Sequence, residues 1–278
     1  MPKILSRGRA ALDAGISSVL FSFTSYISFA ICTIFCSVTT STSVPCLPPF
    51  GAILLLYVLI PMLTVSLCFT SPDKESMNRV PPKNESSVTF AYGERLRLFV
   101  FSIGKASLPA IAPHILYVWS FAEIMSKTEA TFLIDNCGVD VLGASPLILT
   151  RCNALKFYSG PAKALAECIM LLEFALCITV YSGSFLYRTA TLTSVNPWRI
   201  NYVWSLTMIL STGLIIILGA FTFKFMSWSM IAFVMIIPIL SLAVCEAIKK
   251  KEMWHLKRSD TFRRLQFETK LGMWSPKA

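Results

Sequence analysis

The sequence predicts an all-α polytopic membrane helix bundle, six transmembrane helices with both termini in the cytosol, and three observations predict it. Only 14% of the 278 residues are charged and 55% are hydrophobic, against roughly 25% and about 45–50% in soluble globular chains. The apolar residues come in blocks of about 20, the length that a hydrocarbon core of about 30 Å demands of a helix. Nineteen of the 25 Lys and Arg residues fall on one side of the resulting spans. In lipid every backbone donor and acceptor must be satisfied internally, so helices and closed barrels are the available spanning structures. Barrel strands would alternate over segments of about ten residues, and no such segments occur.

The spans read as 16–37, 50–69, 98–121, 165–187, 202–222 and 228–248. They divide the chain into a leading segment 1–15, a transmembrane domain 16–248 and a basic tail 249–278. With the N-terminus in the cytosol, segments 1–15, 70–97, 188–201 and 249–278 lie inside and hold the nineteen basic residues. The outer loops 38–49, 122–164 and 223–227 hold five, and Lys105 lies within a span. This is the positive-inside pattern, and it accounts for the net charge of +10 better than nucleic-acid binding does. Lys3, Arg7 and Arg9 resemble the start of a signal peptide, but the long apolar stretch after them ends in no convincing cleavage site.

The individual spans carry different expectations. The first is rich in hydroxyls (Ser17, Ser18, Ser22, Thr24, Ser25, Ser28 and Thr33), which suits a helix packed inside a bundle. The third contains Pro109 and Pro113, which kink a helix, and a small-residue face of Ser102, Ala106 and Ala110 suited to close helix contact. Trp204 and Trp228 near the ends of the last two spans read as belt anchors. Asp135 and Asp140 argue against a seventh span over 131–150. Lys105 is expected to snorkel to the cytosolic interface, and His114 reads as a packed histidine. In the tail, Trp254, Leu256, Phe262, Leu265 and Phe267 interleave with basic residues. Two readings stay open there, an interfacial helix on an anionic leaflet and a solvated tail.

Six of the nine cysteines fall in spans, where a reduced thiol acts as a small apolar group. Cys137 and Cys152 share the outer loop, 15 positions apart. In an oxidising lumen they form a candidate disulfide; two free thiols are the alternative. With no C-x-x-C pair and only His114 and His255, the sequence shows no zinc pattern.

One stretch is more specific than a polar turn. Residues 69–83, FTSPDKESMNRVPPK, resemble the loop after the sixth membrane helix of P-type ATPases, which reads G-F-x-P-P-D-x-x-x-M-x-R-P-P-R. Phe69, Pro72, Asp73, Met77, Arg79, Pro81 and Pro82 match in register, whereas Cys68 and Ser71 replace the first glycine and proline. Gly8-Arg9-Ala10 is similar to the family's G-R-A before its fifth helix. Asn196-Pro197-Trp198 is similar to the junction between its eighth and ninth helices. Ile237-Pro238-Ile239-Leu240 with Glu246-Ala247-Ile248-Lys249 is similar to its tenth helix. The resemblance covers about 8–250 and makes the six spans helices five to ten.

That resemblance implies cation transport in a longer parent, with divergent members of the endoplasmic reticulum membrane implicated in magnesium uptake. Mg²⁺ would be the transported ion and ATP would act only in the parent. The family's phosphorylated aspartate lies in D-K-T-G-T, which this sequence lacks, and there is no G-x-x-x-x-G-K-[ST] loop either. This chain alone is therefore expected not to hydrolyse ATP; upstream ATPase domains or a partner subunit would supply that step. Laid on this chain without gaps, the family's ion ligands of helices five, six and eight fall at Tyr26, Phe29, Leu56, Leu59, Ile60 and Ile178, none of which can replace a carboxylate. What remains as an ion pathway is Glu173, an acid within a span, with the hydroxyls of Ser25, Ser28, Thr64, Ser66 and Tyr181 as neutral oxygens. Each also reads as ordinary helix-to-helix packing. Pro61 can break its span to expose carbonyls or only kink it. No catalytic, cofactor-binding or metal site is assigned, and a pseudo-transporter serving as a membrane scaffold or regulatory subunit is the competing function. No H-E-x-x-H or G-x-S-x-G motif supports a membrane-embedded enzyme.

The topology makes one early prediction. Asn84 matches a glycosylation sequon but lies in a segment assigned to the cytosol, so glycosidase treatment of the chain expressed in a eukaryotic cell should leave its mobility unchanged.

Overall fold

Long apolar blocks with few glycines fold as helices because lipid offers the backbone no other hydrogen-bond partner. The computed structural model describes residues 2–40, 48–71, 88–137, 153–187, 191–192 and 196–274. Its helices are α1 (Pro2–Thr40), α2 (Pro49–Leu54), α3 (Ile60–Leu67), α4 (Val88–Cys137), α5 (Asn153–Tyr181), α6 (Pro197–Ile200), α7 (Tyr202–Phe223) and α8 (Trp228–Trp274). A π-helical turn, Leu55–Leu59, joins α2 to α3, and a 3₁₀ turn, Ser182–Phe185, ends α5. Among the described residues there are no strands.

Six stretches are long and apolar enough to cross a bilayer: Ala10–Cys36, Pro49–Leu67, Leu96–Ile124, Lys163–Phe185, Tyr202–Phe223 and Trp228–His255. They coincide with the six spans expected, and the chain is an integral multi-pass membrane protein. No further span arises from the described part of 131–150.

Several helices run well beyond the hydrocarbon. The 47 residues of α8 rise about 70 Å, more than twice the apolar thickness. Most of the tail 249–278 is thus the helical continuation of the last span, through Trp274. Likewise α4 carries the chain through the first part of 122–164 to Cys137, and α5 takes it up again at Asn153.

The bundle is built around α5. Of its most apolar stretch 67% is buried, against 22% for α7 and for α8. α4, α7 and α8 pack against α5, while α1 packs against α4 and α3. Phe21 of α1, Tyr181 of α5 and Phe185 form a ring cluster with centroids 5.6 to 6.1 Å apart. Ser102, Ala106 and Ala110 are buried as the small-residue face anticipated, and they let α1 come close enough for the Ser28 hydroxyl to reach the Ala106 carbonyl at 3.2 Å. On the outside, Ile217, Phe221, Ile239 and Trp228 are well exposed, as lipid-facing residues must be. Trp204 departs from expectation: it is buried and donates its indole N–H to Ser182 Oγ at 3.0 Å. It pins α7 to the end of α5, whereas Trp228 is exposed.

Close packing of α7 on α5 rests on Gly219, where a side chain would collide with Leu172. Overpacking typically costs about 1–3 kcal/mol. Gly219→Val should therefore lower unfolding stability in mild detergent by that order, whereas Gly213→Ala, with open space around it in mid-helix, should leave the unfolding midpoint unchanged or raise it, alanine being the better helix former.

Candidate intramembrane site

The hydroxyls of α1 are mostly spent on its own backbone. Ser18, Thr24, Ser25 and Ser28 donate to carbonyls three or four residues back, at 2.7 to 2.9 Å. Two of them also cross between helices. Ser25 Oγ lies 2.7 Å from Tyr181 Oη, and Ser28 reaches α4 as described. Ser25, Ser28 and Tyr181 are thus brought together at the meeting of α1, α4 and α5, and all three are buried. Thr64 instead faces Ser22 at 2.8 Å, and Ser66 donates to the Leu63 carbonyl at 2.7 Å. The bonds from Ser22, Ser25 and Ser28 to neighbouring helices are helix-to-helix glue of the kind lipid favours, whereas Ser66 only bonds back within its own helix.

Glu173 stands apart from them. It precedes Tyr181 by eight residues, about 12 Å along α5 at 1.5 Å per residue. Its side chain is fully buried. Oε1 accepts the Cys177 thiol at 3.4 Å, and Oε2 has no partner among the described residues. Among the described residues one other buried side-chain oxygen, Ser184 Oγ, is in that position. A carboxylate isolated from water and from cations is expensive, so an orphaned oxygen here asks for a ligand or a proton.

The positions where the resemblance would put ion ligands are filled by apolar packing. Leu59, Ile60 and Ile178 are buried in the core, with Phe29 and Leu56 packed against it. Pro61 does not unwind its span. The helix widens instead: the Ile60 N–H bonds the Leu55 carbonyl, and Pro61 has no N–H to offer. That leaves the Leu56 carbonyl without a donor at the fourth or fifth residue on, and the Tyr26 hydroxyl donates to it at 3.4 Å. The proline therefore exposes one carbonyl, already answered by a neighbouring helix. Among the described residues no group of three or more His, Cys, Asp or Glu side chains could hold a metal.

A second polar centre was not foreseen. Lys105 of α4 is buried and pairs with Glu252 of α8 at 2.8 Å, with its ammonium 5.0 Å from the centre of the Phe185 ring. It does not snorkel to water; its counter-charge comes to it. One turn back on α8, Lys249 donates to the Ser184 carbonyl at 2.7 Å and to Glu246 at 3.4 Å. Glu246 in turn accepts the Leu192 N–H at 3.1 Å. The signal in the sequence was a lysine inside a span with acids beyond the last one, but nothing in the spacing paired them.

Of the loop motif, Phe69 is exposed, while Pro72, Asp73, Met77, Arg79, Pro81 and Pro82 lie outside the described residues. So do Cys152 and the side chain of Cys137. The neighbouring stretches 66–71 and 196–201 do meet. Asn201 donates to the Ser66 carbonyl at 2.7 Å and to Thr70 Oγ1 at 3.1 Å, while its own oxygen caps α7 through the Trp204 N–H at 2.8 Å. The Ser71 N–H bonds the Ile200 carbonyl at 3.3 Å.

No protein-family model matches this chain, and no curated protein matches it.

The Lys105–Glu252 pair supports a test by unfolding. Removing one member of a buried pair strands the other and typically costs about 3–5 kcal/mol, whereas replacing both with apolar residues is often neutral or better. Lys105→Met should lose stability of that order, and Lys105→Met with Glu252→Leu should recover most of it.

Proposed function

We propose that this chain is the membrane half of a P-type ATPase-like cation transporter. The cargo would be a divalent cation, magnesium, moved into the endoplasmic reticulum by a full-length parent whose upstream domains use ATP. The observation that carries this reading is Glu173, a fully buried carboxylate with an unanswered oxygen at the heart of the bundle. Intramembrane acids of this kind mark ion pathways by default, and Mg²⁺ takes one or two carboxylates while keeping several waters. The motif around Pro72 and Asp73 supports the kinship, and the charge bias of the loops supports cytosolic termini.

A second reading has its own observation. Leu59, Ile60 and Ile178 close the core where an ion would otherwise be held, which favours a pseudo-transporter acting as a scaffold or regulatory subunit.

Reconstituting the full-length parent in liposomes and measuring ATP-dependent Mg²⁺ uptake separates the two. Loss of even an outer partner of a metal site typically costs about 10–100-fold, so Glu173→Gln should reduce uptake by at least about tenfold. Uptake unchanged by Glu173→Gln removes the residue from the pathway. No uptake by the parent, with stable partners co-purifying, supports the scaffold.

A further inference from the structure

A thiol, an imidazole and a thioether from three different helices meet at Cys36 in the bundle. Cys36 Sγ of α1 lies 3.4 Å from Nδ1 of His114 on α4 and 3.4 Å from Sδ of Met170 on α5. Cys36 and Met170 are fully buried. The imidazole is held in place by stacking on Phe35 and Tyr117, with centroids 6.0 and 6.4 Å away. We propose that Cys36, His114 and Met170 form a binding site for a soft monovalent cation, Cu(I) or its analogue Ag(I).

The donor set selects the metal. A thioether is a poor ligand for Mg²⁺ or Ca²⁺, which take oxygen, and zinc sites draw on thiolate, imidazole and carboxylate. Thiolate with thioether favours Cu(I). Charge selects it again. On binding, the Cys36 S–H bond breaks and its proton leaves to solvent as the sulfur–metal bond forms, so one thiolate cancels one positive charge. His114 and Met170 bind through neutral lone pairs, and the complex carries no net charge into a medium that penalises charge. A divalent ion in the same place would keep a positive charge. Geometry asks little more. With metal–ligand bonds of about 2.0–2.3 Å, a three-coordinate site has edges of about 3.5–4.0 Å, so the two 3.4 Å approaches to Cys36 must widen by up to about half an ångström to admit the ion. Sequence separation hid the group, since Cys36 is 78 residues from His114 and 134 from Met170.

The test uses the full chain in nanodiscs under anaerobic, reducing conditions, with Cu(I) as the probe and bicinchoninate as the competing chelator. Selenomethionine-labelled protein loaded with Cu(I) should show copper–selenium scattering, a direct reading that needs no mutation in the site. Met170→Leu should abolish that scattering. Cys36→Ser and Met170→Leu should each weaken Cu(I) binding by at least about tenfold, whereas Cys68→Ala should not. Absence of copper–selenium scattering in the labelled wild-type chain overturns the proposal. Displacement of Cu(I) by an equal concentration of Zn²⁺, or binding lost in Cys68→Ala but kept in Cys36→Ser, overturns it as well.

Discussion

A polar group in hydrocarbon has to be answered by the protein, because nothing else is there to answer it, and the centre of this bundle is organised by that demand. α5 feels it most, since lipid reaches so little of its apolar stretch. Its polar side chains and those facing it bond to one another: Tyr181 to Ser25 and Ser182 to the Trp204 indole. Each such bond also sets the rotation of one helix against another. Tyr181 can satisfy its hydroxyl only if the Ser25 face of α1 is turned inward, and that turn brings Ser28 to α4. Satisfaction of a few hydroxyls thereby fixes the arrangement of α1, α4 and α5 together.

The same demand explains the end of the bundle that the charge bias assigns to the cytosol. Lys105, Glu252, Lys249 and Glu246 are four ionisable groups in a small volume, three of them almost wholly buried. Paired, they tie α4 and α8 to the turn after α5. An ion pair of this sort is weak evidence for added stability, because desolvation offsets much of the attraction. It does fix how far α8 slides along α4, since a shift of one turn would part Lys105 from Glu252. The long helical continuation of α8 then projects from a defined root.

Against that background Glu173 is an exception. Among the described residues the chain answers nearly every buried side-chain polar atom, yet leaves one oxygen of a carboxylate open. The positions where the resemblance would put oxygen ligands are meanwhile held by leucine and isoleucine in or against the core. A bundle of this shape has little room for a fully dehydrated divalent ion at those positions. If an ion crosses, the open carboxylate on α5 is the better place to look.

Much of the fold was legible in the sequence, and some of the detail was not. Crossing a bilayer depends on the composition of about 20 consecutive residues, so all six spans could be read along the chain. The hydroxyl content of the first span and the small-residue face of the third pointed correctly to tight packing, because both act within a turn or two of helix. Trp204 was misread for the opposite reason. A tryptophan near a span end suits a lipid belt or a buried indole donor equally, and only the presence of Ser182 beside it decides. Lys105 was misread likewise, since its partner is 147 residues away. The tail gave no hint that it stays in one helix with the last span. What the chain determined by itself was which segments are helices and how many can cross the membrane, because transfer into lipid is a local property of each segment. What only the tertiary structure decided was which side chains meet, because that depends on the rotation and depth of each helix against its neighbours, set by packing between residues far apart in sequence.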